Sequence, residues 1–207
     1  MEPFEDKARR GGAAAIAEVD KFFMQEDPLH KTLHRITAKL EQLSIPYAVA
    51  GGMALVGHGY RRTTVDVDIL VTSEGLAAIH RHLEGLGYVP PFGGSKNLRD
   101  TSTGVRIEFL VAGQFPGDGK PKPVAFPDPS AVAVDIGGVR YLGLVNLIEL
   151  KLASGMTGKG RRKDLGDVQE LIRELSLDKA FAERLDEYVR DMYLELWGEL
   201  QDGPAAE

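Results

Sequence analysis

The chain contains no cysteine. That absence excludes disulfide bridges, thiolate metal sites and cysteine nucleophiles, and it suits a reducing compartment. There is also no apolar run near the roughly 18 residues that a membrane-spanning helix needs. The opening residues Met1-Glu2-Pro3-Phe4-Glu5-Asp6 lack the basic segment and apolar stretch of a secretory leader. A cytoplasmic protein with no membrane partner is the expectation. Internal repeats and low-complexity tracts are absent too. Nor is positive charge in excess: 25 Lys and Arg stand against 31 Asp and Glu, for a net charge of −6. Chains that coat nucleic acid are usually strongly basic. Only a local basic patch is present, at Lys159, Arg161, Arg162 and Lys163.

What is present is enough chain, 207 residues, to bury a core without staples, as one compact domain or a core with a small helical lobe. Ile16, Val19, Phe22 and Phe23 hint at an amphipathic helix. Asp27-Pro28 reads as a cap and first position of a firm helix that carries Leu33, Ile36, Leu40 and Leu43 and stops before Pro46. A short strand, Tyr47 to Ala50, breaks at Gly51-Gly52, and a helix follows from Met53 to His58. Val65 to Val71 is a second strand. Ser73 caps a helix from Glu74 to Leu86, and Gly104 to Val111 is a third strand. Residues 112–130, rich in Pro and Gly, read as a long loop, and Val132 to Leu142 as a hairpin around Gly137-Gly138. Beyond it helices are expected at Leu144–Ala153, at Lys163–Leu175 and from Leu177 to about Leu200, the last in one piece or two, with a frayed tail after that. The fold class is therefore α+β: a mixed sheet flanked by helices in residues 1–142, then a C-terminal helical lobe in 143–207.

The second strand holds the chemistry. Side chains alternate faces along a strand, so Val65, Val67, Ile69 and Val71 share one apolar face while Asp66, Asp68 and Leu70 share the other. Two carboxylates side by side repel unless a cation or a proton relieves them. An oxygen-only set of that kind suits Mg²⁺ or Mn²⁺. The alternative is a strand end whose aspartates simply meet solvent. The third strand repeats the pattern, with Arg106, Glu108 and Leu110 opposite an apolar face. If the two strands are neighbours, Glu108 becomes a third carboxylate, the usual means of serving in-line phosphoryl transfer. Otherwise it pairs with Arg106 or a lysine.

Gly51-Gly52 either allows close backbone approach to a ligand or is a plain tight turn, and its value comes from its position ahead of the Asp pair. No Gly-Lys-Ser/Thr follows it and no Gly-x-Gly-x-x-Gly contains it, so neither a Walker loop nor a dinucleotide fingerprint is present. Between the glycines and the aspartates lie Arg61 and Arg62, either phosphate ligands or a solvated basic turn. On a helical wheel Lys151 falls among Leu144, Leu147, Ile148 and Leu152. On the next helix Asp164 falls within the buried face of Leu165, Val168, Leu171, Ile172 and Leu175, with Asp167 at its edge. A lysine in an apolar arc needs an anion. That anion is either a ligand or an aspartate of the neighbouring helix. The five histidines show no spacing that converges with the acids, and Tyr188, Tyr193 and Trp197 read as core or as an oligomer contact.

Gly51-Gly52-Met53-Ala54-Leu55 followed after about a dozen residues by Arg62-Thr63-Thr64-Val65-Asp66-Val67-Asp68-Ile69-Leu70-Val71 resembles the core motif of the DNA polymerase β-like nucleotidyltransferase superfamily. With Lys151 and Arg161-Arg162-Lys163-Asp164-Leu165-Gly166-Asp167, it is most similar to the AbiEii/MenT-like bacterial branch, across about Tyr47 to Leu175. The resemblance implies a nucleotidyltransferase-type fold and an enzyme that moves a nucleoside monophosphate from an NTP to an acceptor. Asp66, Asp68 and Glu108 would hold Mg²⁺ or Mn²⁺, Gly51 and Gly52 would seat phosphates, Lys151 and Arg62 would meet the triphosphate, and Asp164 would organise the site. The acceptor is left open among a tRNA 3′ end, which the basic stretch Lys159–Lys163 would suit, a protein side chain and a small hydroxylated molecule, and the net charge of −6 leans towards a small cationic or protein acceptor. A non-catalytic nucleotide- or partner-binding component of a toxin–antitoxin type system is the alternative. The sequence departs from the pattern at Gly52, where many active members carry serine, so one hydroxyl donor is missing from that position.

Overall fold

The computed structural model describes residues 27–202. The amphipathic segment expected around Ile16 to Phe23 lies outside them, as do residues 203–207.

Helix α1, Pro28–Gln42, begins where Asp27 Oδ1 accepts from the backbone N–H groups of Leu29 at 2.6 Å and His30 at 3.3 Å. Leu29, Leu33, Ile36 and Leu40 recur at helical spacing and are buried. The helix stops short of Pro46, with Ser44 at φ 53° carrying the turn. Strand β1 is Tyr47–Ala50, all buried, and α2 is Gly51–Gly57. The two motif glycines thus open the helix rather than precede it. After β2, Asp66–Val71, comes α3, Ser73–Leu83. Its cap is Thr72, one residue before the expected Ser73, because the Thr72 hydroxyl accepts from Gly75 N at 3.0 Å. It also ends at Glu84, ahead of Gly87.

Two short strands follow that the sequence reading did not contain: β3, Tyr88–Val89, and β4, Leu98–Asp100. Strand β5 is Arg106–Val111. The long loop ends in a single helical turn, α4, Pro129–Val132. The expected hairpin is present as β6, Ala133–Ile136, and β7, Val139–Leu142. Gly137 and Gly138 have φ 63° and 83°, which a two-residue hairpin turn of this twist requires. The C-terminal part consists of α5, Leu144–Thr157; α6, Arg162–Glu174; a 3₁₀ segment, Lys179–Arg184; and α7, Glu187–Asp202. The last expected helix is thus two pieces. Tyr193 and Trp197 fasten them: the tyrosine hydroxyl donates to Asp178 O at 3.0 Å and the indole to Leu177 O at 3.2 Å.

The seven strands form one mixed sheet in the order β3-β4-β5-β2-β1-β7-β6. At its centre β2 runs parallel to β5 and antiparallel to β1. Val67, Ile69 and Val71 of β2, with Ile107, Phe109 and Val111 of β5, enter the core. Helix α1 packs against β2 and α3 against β5. Buried Asp100 binds α1 to β4 by accepting from Arg35 at 3.0 Å. No helix among the described residues is long and apolar enough to cross a membrane.

Candidate active site

A cleft of about 470 Å³ lies where the polar face of β2 and β5 meets α5 and α6. The glycines, acids and cations expected at the core of the site line it: Gly51, Gly52, Arg62, Asp66, Asp68 and Glu108, with Lys151 and Asp164. Arg61 and Arg162 are not among the lining residues.

Sheet register brings the acids together. Asp68 sits directly across from Glu108 on parallel β5, and Ala50 sits directly across from Asp68 on β1. The glycine turn therefore starts beside Asp68. Gly51 has φ +56°, and a Cβ there would stand 1.8 Å from Asp68 Oδ2. Both facts require glycine: the backbone conformation disfavours other residues, and the carboxylate fills the space. Gly52 has no such φ, but a Cβ there would stand 2.6 Å from Thr64 Oγ1. Thr64 in turn donates to Asp66 Oδ1 at 3.1 Å. Glu108 Oε1 accepts from Arg106 Nη2 at 2.7 Å. This is the pairing that the sequence held open for Glu108.

Asp68 is under electrostatic stress. Burial, then the charges of Asp66 and Glu108, push its pKa up from the usual 3.8 to about 7, against the pull of Lys151 and Lys163. Among the described residues, no group of three or more His, Cys, Asp or Glu side chains is arranged to hold a metal ion. Glu108 is held by Arg106, so of the three sheet acids that line the cleft Asp66 and Asp68 are the two with no ion pair to a described cation. Histidines stay away from the cleft: His30 pairs with Asp27, His58 with Leu142 O, and His80 with Glu84.

The helical side of the cleft is different. Lys151 Nζ on α5 donates to Asp164 Oδ1 at 2.9 Å and to Asp167 Oδ2 at 2.7 Å on α6. Ser154, one turn further along α5, donates to Asp164 Oδ2 at 2.8 Å. Arg62 Nη1 reaches Asp167 Oδ1 at 2.5 Å. Burial raises the Asp164 pKa, but the Lys151 charge and the hydrogen bonds from Lys151 and Ser154 outweigh it and hold the carboxyl below its usual value. The internal ion pair between the two helices therefore exists, and it extends to Asp167 and to Arg62. Lys159, Arg161 and Lys163 complete this rim.

The remaining wall is apolar: Leu110, Pro116 and Phe126 with Leu142, Leu147 and Leu150. Its loop is firmly seated. Lys122 Nζ donates to Pro116 O and Asp118 Oδ1, each at 2.6 Å, and to Thr157 Oγ1 at 3.2 Å. Gly117 lies so close to α5 that a Cβ would meet Thr157 Oγ1 at 2.3 Å. Thr64, Ser154 and this loop were missed by sequence reasoning. Two signals existed: Ser154 lies three residues past Lys151 on one helix face, and Thr64 lies two before Asp66.

A mixed sheet with a carboxylate pair on its central strand, a glycine turn beside it and helices closing the cleft is the nucleotidyltransferase fold. Solved structures match it across nearly their whole length. A crystal structure of ANT(2'')-Ia in complex with adenylyl-2''-tobramycin has a TM-score of 0.51 at 14% identity, covering 81% of this chain and 97% of that one. The solution structure of the antibiotic-resistance factor ANT(2'')-Ia gives 0.52 at 16%, covering 82% and 92%. An antigenic nucleotidyltransferase-like protein from Paracoccidioides brasiliensis gives 0.50 at 14%, covering 83% and 88%. At these identities the likeness is one of fold. No protein-family model matches the chain, and no curated protein matches it.

Proposed function

We propose that the chain is a nucleotidyltransferase that transfers a nucleoside monophosphate from a nucleoside triphosphate to a hydroxyl-bearing acceptor. The observation that carries this reading is the setting of Asp68: level with Glu108 across the strand pair, next but one to Asp66, and pressed by the Gly51 backbone. A fold does not place a stressed carboxylate in a cleft for stability, because burial near like charge costs free energy.

The donor set is all oxygen, which fits a hard cation such as Mg²⁺ or Mn²⁺. Asp66 and Asp68 would hold it, and Glu108 would join on leaving Arg106. Such an ion, when bound, supplies positive charge to the triphosphate and makes an acceptor hydroxyl more acidic. The protein's own groups do the rest. The Gly51-Gly52 backbone lets the triphosphate approach the carboxylates closely. Asp164 and Asp167 take two of the three N–H donors of Lys151, which allows one for a phosphate oxygen. Arg62, held by Asp167, adds charge at the same edge. The acceptor oxygen bonds to the α-phosphorus while the α–β bridging bond breaks. Pyrophosphate leaves with the electron pair, and the acceptor proton passes to a cleft carboxylate.

The rim favours an anionic acceptor. A polycationic acceptor, such as the tobramycin part of the adenylyl-2''-tobramycin in the ANT(2'')-Ia complex, needs acceptor-side carboxylates, yet Asp164 and Asp167 are engaged by Lys151, Ser154 and Arg62. Lys159, Arg161 and Lys163 face the cleft instead and suit a phosphate backbone. An RNA 3′ end, tRNA included, is therefore the favoured acceptor. The resemblance to the AbiEii/MenT-like branch supports the same choice, with a protein acceptor and a cognate toxin or antitoxin partner as its other consequences.

The test is a thermal melt with each of the four NTPs, with and without Mg²⁺, on the wild type and on Asp66→Ala/Asp68→Ala. A ligand at 100 times its Kd adds about 2.7 kcal/mol, or about 5–10 °C for a chain of this size. The rise must require Mg²⁺ and vanish in the double variant. If no NTP raises the melting temperature, the reading is wrong. Label transfer from an α-³²P NTP to RNA, a protein or an aminoglycoside then decides the acceptor.

A further inference from the structure

We infer that Thr64 supplies the hydroxyl that Gly52 lacks, and that Thr64 Oγ1 is a binding group for the triphosphate. The inference rests on the nucleotidyltransferase reading and adds to it a residue that lies outside the glycine turn and the acidic strand pair.

The geometry at Gly52 is specific. A Cβ built there would stand 2.6 Å from both the Cβ and the Oγ1 of Thr64, and 3.1 Å from its Cγ2. The φ of Gly52 lies outside the left-handed range, unlike that of Gly51 at +56°. The backbone at position 52 therefore accepts a side chain, and Thr64 is what occupies its place. The two positions compete for one corner of the cleft. A serine at 52 with a small residue at 64, or a glycine at 52 with a threonine at 64, puts one hydroxyl in that corner. Both at once overfill it, and this chain has the second arrangement.

The hydroxyl is also well aimed. Thr64 is half-buried in the loop that leads into β2 and lines the cleft with Asp66 and Asp68. Its Oγ1 donates to Asp66 Oδ1 at 3.1 Å. A threonine hydroxyl has one proton and rotates freely about its C–O bond. Once a cation engages Asp66, the proton can turn to a phosphate oxygen, a charge-assisted bond of the stronger kind.

The experiment uses the full chain with two probes, magnesium–ATP and magnesium–tripolyphosphate, titrated by calorimetry. Thr64→Val keeps the shape and removes the hydroxyl. It should weaken both probes about tenfold or more, while Thr64→Ser stays near wild type. Gly52→Ser alone should melt lower, since the corner is already full. Gly52→Ser/Thr64→Ala should restore the melt and recover most of the affinity lost in Thr64→Ala, because the hydroxyl has moved to the other position. A residue that only steadied Asp66 would give no such rescue. Unchanged binding by Thr64→Val, or failure of the double variant to recover, overturns the inference while leaving the wild-type site standing. Absence of probe binding by the wild type removes the nucleotidyltransferase reading and this inference with it.

Discussion

Two groups of carboxylates face one cleft and are treated in opposite ways. On α6, Asp164 and Asp167 are matched by Lys151, Ser154 and Arg62, each within hydrogen-bond distance. On β2, Asp66 and Asp68 have one hydroxyl donor between them, from Thr64, and Asp68 is driven up to about 7. The first group is a clamp that locks α5, α6 and the loop before β2 into one wall. The second is a charge imbalance that the fold carries and that a ligand would cancel. The difference shows that acidity in a cleft does not mark a site by itself; the missing partner does.

Breaking the clamp gives the largest expected effect. Lys151→Met leaves two buried carboxylates without their shared cation, which costs about 3–5 kcal/mol. The melting temperature should fall by about 10 °C. Adding Asp164→Asn to Lys151→Met should return most of that loss, because Asp167 keeps its pair with Arg62 and no buried carboxylate is then left without a cation. A small loss in the single variant would mean that solvent reaches the clamp and that its aspartates are not a structural group.

The sheet pair should respond with the opposite sign. Asp68→Asn removes a strained charge, so the metal-free variant should be more stable than the wild type at pH 8, by up to about 4 kcal/mol for a carboxyl raised from 3.8 to about 7. A carboxyl whose folded-state pKa is raised favours the folded state while protonated. Its contribution is complete below the usual 3.8 and lost as pH rises through about 7. The gap between variant and wild type should therefore narrow steadily as pH falls below about 7 and close near the usual 3.8. Asp164 runs the other way: its lowered pKa stabilises the fold above 3.8, and that support is lost as pH falls through the folded-state value. Melts of metal-free wild type and Asp68→Asn from pH 2 to pH 8 check both. A gap that does not widen with pH would remove the charge-imbalance argument.

This contrast was half readable from the sequence. Strict alternation in Asp66–Val71 and Arg106–Val111 was sufficient to put three acids on one face, and parallel pairing then set Asp68 against Glu108. Helical periodicity likewise put Lys151 and Asp164 on buried faces. What the sequence did not contain was the closing of charge across long separations. Arg62 and Asp167 meet from places 105 residues apart, and nothing local distinguishes Arg62 from Arg61. Strands β3 and β4, at two and three residues, are too short to show a period and exist because β5 offers them an edge. The Thr64 contact with Gly52 is a matter of space rather than pattern.

Arg106 offers the finest test, since it is the one strong cation that draws an acid away from the sheet group. Its pair with Glu108 is partly exposed, 42% and 29% by side chain, and pairs of that kind contribute about 0–1 kcal/mol. Arg106→Gln should therefore leave the melting temperature within about 4 °C of wild type. Its effect belongs to cation binding. Glu108 is freed to turn towards Asp66 and Asp68, so the Kd for Mg²⁺, or for Mn²⁺ as its stand-in, should tighten by up to about fivefold. Glu108→Gln should weaken it, and in the double variant the Arg106 change should make no further difference, because the two residues act through one carboxylate. Weaker ion or magnesium–ATP binding in Arg106→Gln would instead make Arg106 a phosphate ligand in its own right. Glu108 would then be its support, and the unbalanced group would shrink to the two aspartates of β2.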